Sequence, residues 1–460
     1  MGLQEDNRHL EEADRTYIWH PFTQMQEWQE ETPIIITEGR DCFVKDINGK
    51  WYLDGVSSLW VNIFGHRKKE IDDAIKAQVD RISHSTLLGL SNKPAIQLAE
   101  KLVLLMDASL GKSGGQVPCK VFFSDNGSTA VEVALKMAFQ YWQHRGATKK
   151  TFFLSLNNAY HGDTLGAVSV GGVDIFHKAF GPLLFPCHKA PSPYCYRCEL
   201  GRDYPGCSLL CADKLEEMLK IHHREIAGLV IEPLVQAAGG MIVSPPGYLK
   251  RLREICTEYD ILLIADEVAT GFGRTGRMFA CEHEEVIPDI ICLSKGITGG
   301  YMPLAATVAT EEIYQAFLGA FKDLKTFFHG HSYTGNPLAC AAALASIDLF
   351  SREETLKNMV PKVALLEDWL REMHLLPHVG DVRHKGLMAG VELVPDKKTK
   401  LPYDWEEKTG WKVAYHARDN GLIIRPLGNI IVIMPPLNVS IENLDRMLQI
   451  LRDAIISVTS

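Results

Sequence analysis

The chain has no long apolar run, no excess of positive charge and no regular cysteine framework, and each absence removes a class of function. Its hydrophobic stretches are broken by charges such as Glu232 and Asp266, so no segment reads as a membrane-spanning helix. Residues 1–15 are polar and acidic, without the basic start and apolar centre of a secretory signal. Gly2 follows Met1, but Asp6 stands where a myristoylation motif wants Ser or Thr. These features predict a cytoplasmic protein. Lys and Arg number 48 against 57 Asp and Glu, giving a net charge of −9. No basic stripe with interleaved aromatics is present, which argues against nucleic acid as the main partner. The 11 cysteines are mostly isolated, the usage of a reducing compartment. Cys195, Cys198, Cys207 and Cys211 are the exception. Their spacing suits zinc but also reads as reduced thiols in a surface insertion, so no metal is assigned.

What is present suggests at least two lobes in 460 residues. Residues 34–53 alternate apolar and polar around Asn48-Gly49, which predicts a hairpin. Helical spacing covers 71–82 and 94–106. Short apolar runs follow at 120–124, 151–156, 226–231, 261–265 and 290–293, with helical segments such as 129–141 and 246–259 between them. Buried strands alternating with helices predict a mainly parallel α/β sheet. A helix is expected over 337–350. Residues 357–460 mix helices with strands near 386–394 and 430–434, reading as a smaller α+β lobe that the early hairpin joins. The predicted division is 1–65 contributing to the small domain, 66–345 as the large domain and 346–460 as the rest of the small one.

Open α/β sheets bind ligands at the carboxyl ends of their strands. The polar residues at the ends of the apolar runs are Asn126-Gly127-Ser128, Tyr160-His161, Glu232, Asp266 and Lys295. Gly127-Ser128 opens a helix, where free N–H groups suit a phosphate, although a plain N-cap would look the same. Asp266 ends a very apolar strand and needs a partner, either a protonated ring nitrogen or a neighbouring loop. Lys295 follows another such strand, where desolvation favours a neutral, nucleophilic amine; taken alone it reads as a surface lysine. Together these are the parts that hold pyridoxal phosphate.

Two other motifs fail on context. Gly271 to Gly276 matches the dinucleotide fingerprint, but no helix starts there. Gly111-Lys112-Ser113 lacks the first glycine of a phosphate loop, because Met106 occupies that position.

At Asp266-Glu267-Val268-Ala269-Thr270-Gly271-Phe272-Gly273-Arg274-Thr275-Gly276 and Leu293-Ser294-Lys295-Gly296-Ile297-Thr298-Gly299-Gly300 the chain resembles the class III, fold type I pyridoxal-phosphate aminotransferases. The resemblance runs over nearly the whole length. It implies a seven-stranded, mainly parallel sheet sandwiched by helices, plus the smaller α+β domain. Trp19-His20-Pro21-Phe22-Thr23-Gln24-Met25 and Ser57-Ser58-Leu59-Trp60 resemble the biotin-synthesis branch of that family. That branch implies 8-amino-7-oxononanoate as amino acceptor. The alternative is another ω-aminotransferase, acting on ornithine, 4-aminobutyrate or acetylornithine.

The resemblance also implies roles. Lys295 carries the cofactor as a Schiff base and then moves protons. Asp266 keeps the ring nitrogen protonated, Tyr160 stacks on the ring, and Gly127 and Ser128 bind phosphate. Trp60 and Tyr160 line the substrate pocket, and Arg425 pairs with the acceptor's carboxylate in two-pronged fashion. Phe328 to Pro337 resembles a loop that reaches a partner's phosphate in a homodimer, making His331 and Ser332 cofactor contacts and Gly330 a substrate contact. The Gly-His-Ser-Tyr-Thr-Gly form of that loop is similar to enzymes using lysine as amino donor, leaving lysine or S-adenosylmethionine open.

Overall fold

The computed structural model describes residues 7–460. The Gly2 and Asp6 reading lies outside the described residues. Two helices, Asn7–Tyr17 and Met25–Glu30, lead into three strands: β1 (Ile36–Arg40), β2 (Phe43–Asp46) and β3 (Trp51–Asp54). Asn48-Gly49 turns β2 into β3, with Gly49 at φ 86°. The first arm of the predicted hairpin is itself divided, because Asp41 (φ 51°) turns the chain between β1 and β2. Asp tolerates this left-handed conformation better than most residues, and alternation alone does not reveal such a break.

The central sheet holds β4 (Lys120–Ser124), β5 (Phe152–Leu156), β6 (Cys187–Ala190) and β7 (Ile226–Ile231). After a short hairpin of β8 (Val235–Gln236) and β9 (Ile242–Val243) it continues with β10 (Leu262–Asp266), β11 (Ile290–Leu293) and β12 (Ala305–Ala309). The order is β4-β12-β11-β10-β7-β5-β6. β6, β5, β7, β10 and β11 run parallel, and β12 is antiparallel to both its neighbours. Every residue of β7, β10, β11 and β12 is buried. A strand covered on both faces loses its polar alternation, which is why β7, β10 and β11 read as continuous apolar runs. β6 and β12 escaped that reading. β6 is an edge strand of mixed composition (CHKA), and β12 (AATVA) is too poor in large apolar residues to stand out.

Helix Gly127–His144 starts just after β4 and packs its Ala130, Val131, Ala134 and Ala138 face on the sheet. Asn126 caps it, accepting from Thr129 N–H at 3.1 Å. Helix Lys93–Leu110 runs into a 3-10 turn, Gly111–Ser113, so no strand precedes that Gly-Lys-Ser. The Gly271 to Gly276 segment folds as successive turns. Among the described residues no helix is long and apolar enough to cross a membrane.

The C-terminal part adds β13 (Val379–Lys385), β14 (Met388–Leu393), β15 (Leu422–Ile423) and β16 (Ile430–Ile433). β13, β14 and β16 form an antiparallel sheet. β15 instead pairs in parallel with β3, joining Leu422 to Leu53 and Ile423 to Asp54. The cysteine segment is fastened to β14: the Tyr194 hydroxyl donates to Glu392, and Arg197 Nε lies 2.5 Å from Glu392 Oε1. Its four cysteines are free thiols around one small hollow. Among the described residues, no group of three or more His, Cys, Asp or Glu is arranged to hold a metal ion.

Candidate active site

A cleft of about 1100 Å³ opens beyond the carboxyl ends of the parallel strands. Gly127, Ser128, Tyr160, Glu232, Asp266 and Lys295 line it from strand ends, Trp60 from the N-terminal segment and Arg425 from the loop after β15.

Asp266 ends β10 and is buried, with Oδ2 2.7 Å from His161 Nδ1 and Oδ1 accepting Val268 N–H at 3.0 Å. Both its oxygens are thus engaged, as a buried carboxylate requires. Glu232 follows directly on β7 and accepts Tyr160 N–H at 3.0 Å and Ala237 N–H at 2.8 Å. Burial, then the charge of Asp266, push its carboxyl up to about 8. Lys295 follows β11 through Ser294 with φ 45°. Desolvation lowers its amine below the ordinary lysine value, against the pull of Asp266 and Glu232. Its Nζ lies 5.1 Å from the centre of the Trp60 ring.

Tyr160 donates its hydroxyl to Asp163 Oδ2 at 2.7 Å and lies parallel to His177. Asp163 N–H donates to Ser128 Oγ at 3.1 Å, so one residue ties the aromatic to the helix start. The backbone is packed closely here. A Cβ on Gly162 (φ 120°) would meet Ser128 Oγ at 2.0 Å, and one on Gly127 would meet Val268 Cγ1 at 2.6 Å.

The opposite wall is apolar. Ser57, Ser58, Leu59 and Trp60 have φ of 51°, 48°, 68° and 71°, a left-handed turn without glycine. Such a turn costs L-residues about 1–2 kcal/mol each. Arg425 Nη2 donates to Phe22 O at 3.0 Å, and its guanidinium lies 5.6 Å from the Trp411 ring. Burial lowers its pKa from the ordinary arginine value. Phe22, Trp405 and Trp411 share this end of the cleft.

Gly330, His331 and Ser332 lie outside the cleft of their own chain. His331 Nδ1 sits 2.7 Å from Asp125 Oδ2, and Asp125 does line it. Sequence reasoning had His161 among the strand-end residues without a use for it. It missed Asp163, although Asp163 stands two residues after His161, and it missed Trp405 and Trp411, which follow no strand of the central sheet.

The family model "Aminotransferase class-III" matches residues 24–455. The chain belongs to the class-III aminotransferases. This aminotransferase is 56% identical over 455 residues to the adenosylmethionine-8-amino-7-oxononanoate aminotransferase of Geobacter sulfurreducens, covering 99% of each chain. The crystal structure of the adenosylmethionine-8-amino-7-oxononanoate aminotransferase from Methanocaldococcus jannaschii superposes with a TM-score of 0.92 at 45% identity, covering 98% of this chain and 99% of that one. An amine transaminase from an uncultivated Pseudomonas species, solved in its PLP-bound form, gives a TM-score of 0.90 at 39% identity over 96% and 99% of the two chains. Like its family, the aminotransferase depends on pyridoxal phosphate. The cleft fits that group. A helix start with Ser128 suits the phosphate, and glycines at 127 and 162 let Ser128 and Val268 pack closely against the backbone there. Buried Asp266 suits a protonated ring nitrogen, and Lys295 is pushed toward the free amine.

Proposed function

We propose that the enzyme transfers an amino group from S-adenosylmethionine to 8-amino-7-oxononanoate, forming 7,8-diaminononanoate for biotin synthesis. The observation carrying this reading is that one apolar-walled cleft holds both Lys295 and Arg425. Such a cleft suits an aliphatic amino ketone with a carboxylate at its far end. The donor follows the printed names of the relatives, which match 98–100% of this chain.

Bound pyridoxal phosphate supplies an aldehyde for the incoming amine and a ring that withdraws electrons. Lys295 Nζ takes a proton from the donor's carbon and returns one in the second half-reaction, for which its lowered basicity suits it. Asp266 holds the proton on the ring nitrogen, and His161 Nδ1 fixes that carboxylate. Gly127 and Ser128 hold the phosphate while Tyr160 packs on the ring. Arg425 receives the acceptor's carboxylate through two N–H groups, and Trp60 with Tyr160 lines its path. In this reading Gly330, His331 and Ser332 reach the cleft of a second copy in a cytoplasmic homodimer. Residues 66–345 act as the large domain, and 1–65 with 346–460 act as the small one.

The test is the visible spectrum of the purified enzyme while amines are added in turn. Loss of the yellow band with S-adenosylmethionine, and its return with 8-amino-7-oxononanoate, is the expected result. The lysine-type form of the 330–335 loop favours a second reading, in which only L-lysine discharges the band. A response to ornithine or 4-aminobutyrate alone would overturn the biotin assignment.

A further inference from the structure

The turn that carries Trp60 is held by residues outside the cleft. Within it, Trp60 N–H donates to Val56 O at 2.7 Å and Val61 N–H to Ser57 O at 3.0 Å, closing a left-handed turn. L-residues persist in this conformation only where their surroundings over-determine it. Asp54 does so from one side. Its Oδ1 accepts Ser58 N–H at 2.8 Å, and its Oδ2 accepts the Ser58 hydroxyl at 2.8 Å and lies 3.2 Å from His66 Nε2. Asp54 is 2% exposed, and its backbone is paired with Ile423 of β15. From the other side the Ser57 hydroxyl donates to Met434 O at 2.6 Å. Arg274 donates to Ser57 Oγ at 3.3 Å, Asn62 O at 2.8 Å and Pro435 O at 2.7 Å. Neither Asp54 nor His66 lines the cleft.

We propose that Asp54, locked by Ser58 and His66, is a positioning residue that holds the left-handed turn closed and so keeps the Trp60 ring beside the Lys295 amine. The clamp thereby sets how tightly the cleft takes an aliphatic substrate. That consequence rests on the function proposed above; the hold on the turn does not.

The test compares holoenzymes: wild type, Asp54→Ala, Asp54→Asn and the double variant Asp54→Ala/Ser58→Gly. Amide hydrogen exchange over residues 57–62 reads the turn, and steady-state kinetics with 8-amino-7-oxononanoate read the cleft. Asp54→Ala is expected to speed exchange at Trp60, Val61 and Asn62 and to raise KM about tenfold, with kcat within about threefold. Asn retains an acceptor for Ser58 and falls between. Glycine at 58 takes φ 48° without strain, so the double variant recovers most of both readouts. A purely structural role would lower the unfolding temperature and leave KM of the folded enzyme unmoved. If Asp54→Ala does not fold, His66→Ala carries the same comparison. Unchanged exchange in a folded variant, or no recovery with Ser58→Gly, overturns the proposal. A wild type that ignores the amino ketone while its turn still loosens in Asp54→Ala overturns the substrate assignment and supports the clamp.

Discussion

The wall of the cleft that carries Lys295, Asp266 and Ser128 is made of strand ends, whereas the wall that carries Trp60 and Arg425 is made of segments from opposite ends of the chain. In the first, each group sits at or just beyond the end of a strand of the central sheet, and its position follows from the sheet. In the second, no regular element delivers the side chains. A strained turn, a parallel pairing of β3 with β15 and a hydrogen bond from Arg425 to the Phe22 carbonyl do so. The groups proposed to carry the chemistry stand on the strand-end wall, and the groups proposed to recognise the substrate's length and charge stand on the other.

The largest test of this contrast is Lys295→Ala, expected to cut turnover by roughly a thousandfold or more while the fold persists. Substantial remaining turnover in single-turnover assays would remove chemistry from the strand-end wall. Arg425→Ala probes the opposite wall. Loss of a charge-assisted pair worth about 1.5–3 kcal/mol should raise KM for the acceptor roughly 10- to 100-fold with kcat little changed. An equal fall in kcat would make Arg425 part of the chemistry. Gly162→Ala places a Cβ against Ser128 at a positive φ, and should weaken cofactor binding by about 1–3 kcal/mol. Cofactor titration followed by absorbance checks it, and unchanged affinity would mean that the cradle yields easily.

The two walls should also answer pH with opposite slopes. The Glu232 carboxyl is raised from 4.5 to about 8, so the folded state binds its proton more tightly than the unfolded state. Stability from this group is therefore lost as pH rises from 4.5 through about 8, and Glu232→Gln should flatten that decline in apoenzyme thermal melts. Burial pushes the Asp54 carboxyl up, yet hydrogen bonds from His66 and Ser58 hold it below 3.8. Its contribution is present above 3.8 and is lost as pH falls through the lower folded value. Asp54→Asn should shrink the acid loss in wild-type melting temperature by about 2 °C, the smallest effect expected here. Parallel acid limbs in the two proteins would remove Asp54 from the balance.

Which parts were legible in the sequence follows from the same contrast. β7 and β11 were read to the residue, because strands buried on both faces leave an unbroken apolar signature. Asp266 and Lys295 stand out as polar breaks in that signature. β12 did not, since Ala305, Ala306 and Ala309 say little by themselves and the strand is specified by Leu293 and Ser124 beside it. The left-handed turn at Ser57 to Trp60 was illegible for a different reason. Nothing in Ser-Ser-Leu-Trp favours positive φ, and the groups that impose it come from Asp54, Arg274 and Met434. Family resemblance pointed to Trp60 and Arg425, but no local pattern in this chain did.

The parallel pairing of β3 with β15 has a consequence for how the enzyme comes into being. Leu53 leaves the ribosome well before Leu422, its partner in the pairing, and waits for it. Strand ends β4 to β11, with Ser128, Asp266 and Lys295, are all synthesised in between. A nascent chain therefore holds the residues proposed to carry the chemistry well before those proposed to seat the substrate, so a truncated product could own the first set and still have nothing to act on.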